Sequence, residues 1–377
     1  MDTLFTDKKR DYLGIASPTE SVFDFFDRSG ADWAESVRLY LNKWIANYPS
    51  DDVGSLISRL KNRDFDSAFH ELFIHELFNR IGYQLEPHPE LEHTSKRPEF
   101  RFSKNSEIGY IESKLVTEKT ANEEAIEELK RNVKNRINER VKSNNFLISI
   151  SDLYIKDRSQ ISSLNELCQK LQEYIDSKNP DIPIYENFGT RTGTQKPYFE
   201  YDNDYLYIQI SLLTKPAEMR SEGDSIIGLF NSGAKWMNTP EAIKSSIHKK
   251  ATKYGQLNAP YIITLNMTES FTYSDIDIEN ALYGDQVQDF FTRAVERFSN
   301  GAFGTIENPK YTRVSGVLFS NAHYIRINKV KLNYYRNPFA EFPFSLTGVI
   351  DQIDFDGEST TMTNGKPISE YIDALAI

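Results

Sequence analysis

The hydrophobic period of this chain changes at Gly82, and that change restricts the possible folds more than any other feature. From Asp66 to Ile81 the apolar residues recur at helical spacing, and Gly82 follows, a residue suited to the left-handed conformation that closes helices. Arg97 to Phe102 then alternates, with Pro98, Phe100 and Phe102 on one face and Glu99 and Arg101 on the other. Ile108 to Val116 reads as the hairpin partner of that strand. Helical spacing returns from Thr120 to Ser143, where Ile126, Leu129, Val133, Ile137 and Val141 form one stripe. Thr120 and Glu123 make a T-x-x-E capping box at its start. Phe146 to Ile150 is a short apolar run expected as a buried strand. Helix, hairpin, helix and strand in this order predict the mixed α/β class.

The flanks extend this core. Val37, Tyr40, Leu41, Trp44 and Ile45 predict an N-terminal helical unit over 1–64, with Pro49, Asp51 and Asp52 between its helices. A chain of 377 residues exceeds one ordinary domain, and 65–270 is expected as the core, with a loop-rich insertion near 153–203. Ser177 to Asp204, rich in Pro and Gly, carries the loop signal. Leu206, Ile208, Ile210 and Leu212 alternate as a strand. Thr239 and Pro240 open a helix that stops at Gly255, and Tyr261 to Leu265 reads as another strand. The remaining 271–377 is expected as a C-terminal α+β extension, with a helix near Gln286 to Phe298 and strands near Val314 to Phe319 and Tyr324 to Leu332.

Composition narrows the functional classes. A formal charge of -11 argues against a protein that coats nucleic acid through its whole surface, while leaving room for local basic grooves. The single cysteine, Cys168, lies in an apolar helical pattern and forms no internal disulfide, so a reducing cytoplasm is the expected compartment. The first residues lack the apolar run of a secretory signal, and no stretch approaches the roughly 20 apolar residues of a membrane span, so no membrane partner is expected.

Four residues stand out as chemistry: Glu71 on the helix before Gly82, Glu99 on the first hairpin strand, and Glu112 and Lys114 on the second. Glu112 and Lys114 are two apart on a strand, hence on one face and roughly 7 Å apart. A two-residue turn at Asn105 and Ser106 pairs Lys104 with Glu107 and, carried along the ladder, sets Glu99 opposite Glu112. Facing carboxylates repel, so the pair calls for a compensating cation. Mg²⁺ takes such oxygen ligands and lowers the pKa of an attacking water.

Pro98-Glu99 followed by Glu112-Ser113-Lys114, with a helical acid upstream, resembles the PD-(D/E)XK nuclease superfamily over about Asp66 to Ser151. The resemblance implies a restriction-endonuclease-like mixed sheet flanked by helices. It further implies that Glu99 and Glu112 hold Mg²⁺, with Mn²⁺ able to substitute, that Lys114 assists the nucleophilic water, and that Glu71 completes the metal site. Glu76 is the second choice for the helix acid. One departure is Glu99 where the family usually has aspartate, which moves the carboxylate roughly 1.5 Å outward. The implied activity is hydrolysis of phosphodiester bonds in DNA, with RNA less favoured, in a setting such as prokaryotic restriction, repair or anti-phage defence. The alternative is a noncatalytic nucleic-acid- or protein-binding module on the same scaffold, and a homo-oligomer is compatible with either.

Other motifs were weighed. His70, Glu71 and His75 miss the H-E-x-x-H zinc pattern because histidines five apart diverge on a helix. His88 and His93 lie in the loop before Glu99. Gly189 to Lys196 lacks phosphate-loop spacing. For the substrate, Arg97 and Arg101 flank the first acid, and Lys130, Arg131 and Lys134 begin a basic helical run that could receive a phosphate backbone. Lys244, Lys249, Lys250 and Lys253 form a second basic helix, in which Lys250 and Tyr254 have the spacing of the Q-x-x-x-Y element of some family members, with lysine in place of glutamine.

Overall fold

The computed structural model describes residues 3–17, 20–62, 64–116, 121–157, 164–181, 198–220, 226–230, 239–267, 274–288 and 295–372. The chain opens with four helices: α1 (Val22–Arg28), α2 (Asp32–Asn47), α3 (Ser50–Leu60) and α4 (Phe65–Arg80). Strands β1 (Gln84–Pro87), β2 (Phe100–Lys104) and β3 (Glu107–Leu115) follow. Next come α5 (Ala121–Arg140), β4 (Phe146–Ile155), α6 (Asn165–Asp176), β5 (Phe199–Asp202), β6 (Leu206–Thr214) and β7 (Ile227–Phe230). Then α7 (Thr239–Ala251), β8 (Tyr261–Asn266) and α8 (Asp275–Tyr283) precede the short β9 (Gln286–Gln288) and β10 (Val295–Arg297). Four strands close the chain: β11 (Gly316–Ser320), β12 (Leu332–Arg336), β13 (Asp351–Phe355) and β14 (Thr360–Thr363).

Two compact units divide these elements. The first comprises 1–12, 21–118 and 237–377, and the second 13–20 and 119–236. The first unit is built on a mixed sheet in the order β1-β2-β3-β8-β11-β12-β13-β14. Its N-terminal helices, α4 and strands β1 to β3 share one core with the C-terminal segment, including Leu41, Trp44, Phe69, Phe73, Phe100, Ile262 and Tyr334. The expected parts 1–64, 65–270 and 271–377 therefore do not coincide with the compact units, because strands far apart in sequence are hydrogen-bonded into one sheet.

Helix α4 carries buried residues around its whole circumference, among them His70, Glu71, His75 and Glu76. Such a helix lies inside the protein rather than on it, which is how a carboxylate on it reaches the interior. Beyond its end, Gly82 adopts φ 92, a conformation glycine takes without steric cost. The hairpin has the expected register, from Phe100 opposite Ile111 to Lys104 opposite Glu107, and Asn105 in its turn has φ 55.

The strand expected over Phe146 to Ile150 takes another place. As β4 it pairs with β6 and β7 in the second unit, in a sheet ordered β5-β6-β4-β7. Its burial alternates along the strand, as suits a sheet with one solvated face. The position beside β3 belongs to β8, which runs parallel to it from Tyr110–Tyr261 to Leu115–Asn266. All six residues of β8 are buried, the signature of a central strand covered on both faces. Helix, hairpin, helix and strand are thus completed by α7 and β8, after the second unit has intervened.

Further differences lie near the C-terminus. Of the span 286–298 expected as a helix, Gln286–Gln288 and Val295–Arg297 form the antiparallel pair β9 and β10, and 289–294 lie outside the described residues. The helix sits earlier, at α8, where Ser274 and Asp277 form a reciprocal capping box and Gly284, at φ 104, follows its end. Tyr324 to Leu332 contains a 3-10 turn at Ile327–Lys329, and the strand begins only at Leu332. The capping box at Thr120 and Glu123 and the segment Gly189 to Lys196 lie outside the described residues. No helix among the described residues is long and apolar enough to cross a membrane.

Candidate active site

Three carboxylates from separate elements of the first unit converge. Glu71, 1% exposed, projects from α4. Tyr48, at the C-terminal end of α2, donates its hydroxyl to Glu71 Oε1 at 2.8 Å, and Arg59 of α3 places Nη1 2.7 Å from Oε2. Glu99 immediately precedes β2, and its carbonyl accepts the His88 N–H at 2.9 Å. The β2–β3 ladder ends one pair before it, at Phe100 opposite Ile111, and Glu99 occupies the bend leading into the strand.

Glu112 is completely buried on β3. Its Oε1 is paired with Lys250 and, at 2.8 Å, with Lys253, while Tyr254 hydrogen-bonds Oε2. The Tyr254 hydroxyl also lies 2.8 Å from the Arg97 carbonyl oxygen, and one phenolic proton serves the two acceptors. Tyr261 holds the end of α7 by donating to the Lys250 carbonyl at 3.1 Å, and His93 Nε2 lies 2.7 Å from the Tyr254 carbonyl oxygen. The basic helix is thereby fastened over β3.

Electrostatics single out Glu99. Burial, followed by the nearby Glu71 and Glu112 carboxylates, pushes Glu99 up to about 7, against the opposing pull of His88 and Lys250. Among the described residues its carboxylate accepts no hydrogen bond and forms no ion pair. Burial and the neighbouring Glu112 raise the Tyr254 phenol, and burial and Glu71 raise that of Tyr48, so both act as neutral donors. Asp52 and His88 add to the oxygen-rich corner: with Glu71 they offer ligand atoms within 4.8 Å of one another, and His88 Nε2 lies 3.4 Å from Asp52 Oδ2.

Among the described residues, the ligand atoms that come within 4.8 Å of one another, as a divalent cation needs, are those of Asp52, Glu71 and His88. Glu99 and Glu112 are further hard oxygen donors nearby: Glu99 senses Glu71, His88 and Glu112 electrostatically, and both oxygens of Glu112 are engaged by Lys250, Lys253 and Tyr254. Lys114 lies two residues beyond Glu112 on the same strand, half-buried, opposite Leu265.

Other expected residues lie elsewhere. Glu76 is bound by Arg80 at 2.8 Å and Asn47 at 3.2 Å. The Arg97 side chain pairs with Glu90, and Arg101 pairs with Glu86 at 3.1 Å. Lys130, Arg131 and Lys134 belong to α5 of the second unit, where Arg131 pairs with Glu128 at 2.7 Å. His70 and His75 are buried, His70 Nε2 lying 3.3 Å from Ser320 Oγ and the His75 ring packing at a tilt against Tyr48, centroids 4.6 Å apart. Tyr48, Asp52 and Arg59 carried no motif, because they join the site through helix packing. The Lys250–Tyr254 spacing was the one sequence signal for the clamp on Glu112, and Lys253 joins it.

Comparison with protein-family models, with curated proteins and with solved structures found no match.

Proposed function

We propose that this chain is a divalent-metal-dependent nuclease of restriction-endonuclease-like architecture, hydrolysing phosphodiester bonds of DNA in preference to RNA. The observation that carries this reading is the mutual influence of Glu71, Glu99 and Glu112: burial and the two neighbouring carboxylates push Glu99 up to about 7 against the pull of His88 and Lys250. The order α4, hairpin, α7, β8 supports the same architecture.

Glu99 and Glu112 would hold the ion, with Glu71 completing the site. Bound Mg²⁺ or Mn²⁺ supplies Lewis acidity toward a phosphate oxygen and a water of lowered pKa. Lys114, two residues beyond Glu112 on β3, would orient an attacking water toward phosphorus. Lys250 and Lys253, anchored beside Glu112, offer ammonium groups to the non-bridging phosphate oxygens, and Tyr254 fixes the Glu112 carboxylate. Tyr48 and Arg59 hold Glu71 in the same way.

The test is cleavage of supercoiled plasmid, linear duplex, single-stranded DNA and RNA with Mg²⁺ or Mn²⁺, against EDTA. Lys114→Ala should reduce cleavage at least about 100-fold with an unchanged thermal melt. Undiminished cleavage by that variant rejects the mechanism.

A second reading, a noncatalytic nucleic-acid-binding module, draws on one specific observation: both oxygens of Glu112 and both of Glu71 already face cationic or phenolic donors. Calorimetric titration with Mn²⁺ separates the two. Salt-dependent DNA binding without an ion site favours the module.

A further inference from the structure

The second unit presents a sheet face with a chemistry unlike that of the carboxylate site. One face of its sheet is covered: Ile148, Ile150, Ile208 and Ile210 pack with Val133 and Ile137 of α5 and Leu167 and Leu171 of α6. The opposite face is read from the register. Asp202 on β5 lies opposite Tyr207 on β6, which lies opposite Tyr154 on β4. One row along, Glu200 lies opposite Gln209, which lies opposite Asp152. Adjacent strands are about 4.8 Å apart, so two tyrosines and three carboxylates share a small area. A register shift between Ile150 and Asp152 brings Asp152 and Tyr154 onto this face.

Tyr154 is 58% exposed, and its ring centroid lies 5.9 Å from that of Tyr207. Glu200 and Asp202 are exposed, and the nearby Lys156 is paired with Asp202. Among the described residues, three acids against one base give the face a negative excess, and the two phenol rings provide flat surfaces for a cation to cover.

We propose that this face docks an arginine- or lysine-rich segment of a partner protein. A guanidinium laid on the Tyr154 and Tyr207 rings reaches Asp152, Glu200 or Asp202 with its N–H groups, combining ring stacking with a charge-assisted hydrogen bond. Nucleic acid is repelled by the same carboxylates. The proposal is independent of the nuclease reading.

The test is titration of the full chain with fluorescein-labelled octa-arginine, with octa-glutamate and single-stranded DNA as controls. Octa-arginine should bind with affinity that falls as salt rises. Asp152→Lys with Glu200→Lys should weaken it at least about tenfold, and Tyr154→Ala with Tyr207→Ala several-fold. Should the charge-reversed variant fail to melt cooperatively, Asp152→Asn with Glu200→Gln replaces it, with the same direction expected. Absence of octa-arginine binding, or equal affinity in the charge and tyrosine variants, overturns the proposal. So does self-association or DNA binding that these substitutions abolish.

Discussion

Glu99 is the residue on which pH should act. Its carboxyl, pushed from 4.5 to about 7 by burial and then by Glu71 and Glu112, holds its proton more tightly in the folded chain than in the unfolded one. The stability this contributes is fully present below pH 4.5 and is lost as pH rises through 7. Glu99→Gln mimics the protonated form without the titration. In metal-free buffer the variant should therefore gain on the parent by roughly 2 kcal/mol between pH 5 and pH 8, read from urea unfolding. Saturating Mn²⁺ should reverse the ranking at pH 8. His70 and His75, which burial lowers to about 3 and about 4, act with the opposite sign: their contribution is present above 6.5 and is lost as pH falls below it. Both proteins share it, so it cancels in the comparison. A pH-independent difference between parent and variant would mean that Glu99 is an ordinary solvated acid.

At the level of elements, α7 and the turn after it act as a clamp on β3. Removing Lys250 and Lys253 together leaves the fully buried Glu112, among the described residues, with the Tyr254 hydroxyl as its one side-chain donor. An orphaned buried charge costs about 3 kcal/mol or more, so Lys250→Ala with Lys253→Ala should melt well below the parent. Adding Glu112→Gln should restore most of the loss, and simple additivity of the three substitutions would sink the clamp. This element also marks how far the sequence could be read. The β2–β3 register was legible because a two-residue turn fixes it locally, and it runs as read from Lys104 opposite Glu107 to Phe100 opposite Ile111. Helix α4 was legible from its spacing and Gly82. The partner of β3 was not, since parallel pairing leaves no local mark, and Phe146 to Ile150 offered an apolar run nearer in sequence than Tyr261 to Asn266. Nor could Tyr48, Asp52 and Arg59 be found: all three come from the α2–α3 region and are brought in by packing rather than spacing, whereas His88 was legible as a loop histidine ahead of Glu99. Around α8 the reading failed for a different reason. Ser274 and Asp277 carry a capping signal, but the apolar residues after Gln286 attracted the helix assignment instead.

Across the whole molecule, the chain leaves one compact unit, builds another and returns. The second unit has its own core, from Val133 to Ile227. Residues 119–236 expressed alone should therefore unfold cooperatively on heating, with the near-UV signal of packed tyrosines. A broad, non-cooperative melt would show that this core depends on the remainder of the chain. The placement of β3 next to β8 carries a temporal consequence. The two strands are hydrogen-bonded neighbours about 145 residues apart, and closing so long a loop delays their pairing. On a ribosome, the hairpin would emerge with one edge open while the entire intervening unit is still being translated. That bare edge is open to adhesion until β8 arrives, so a chaperone that binds unfolded chain should act chiefly in that interval.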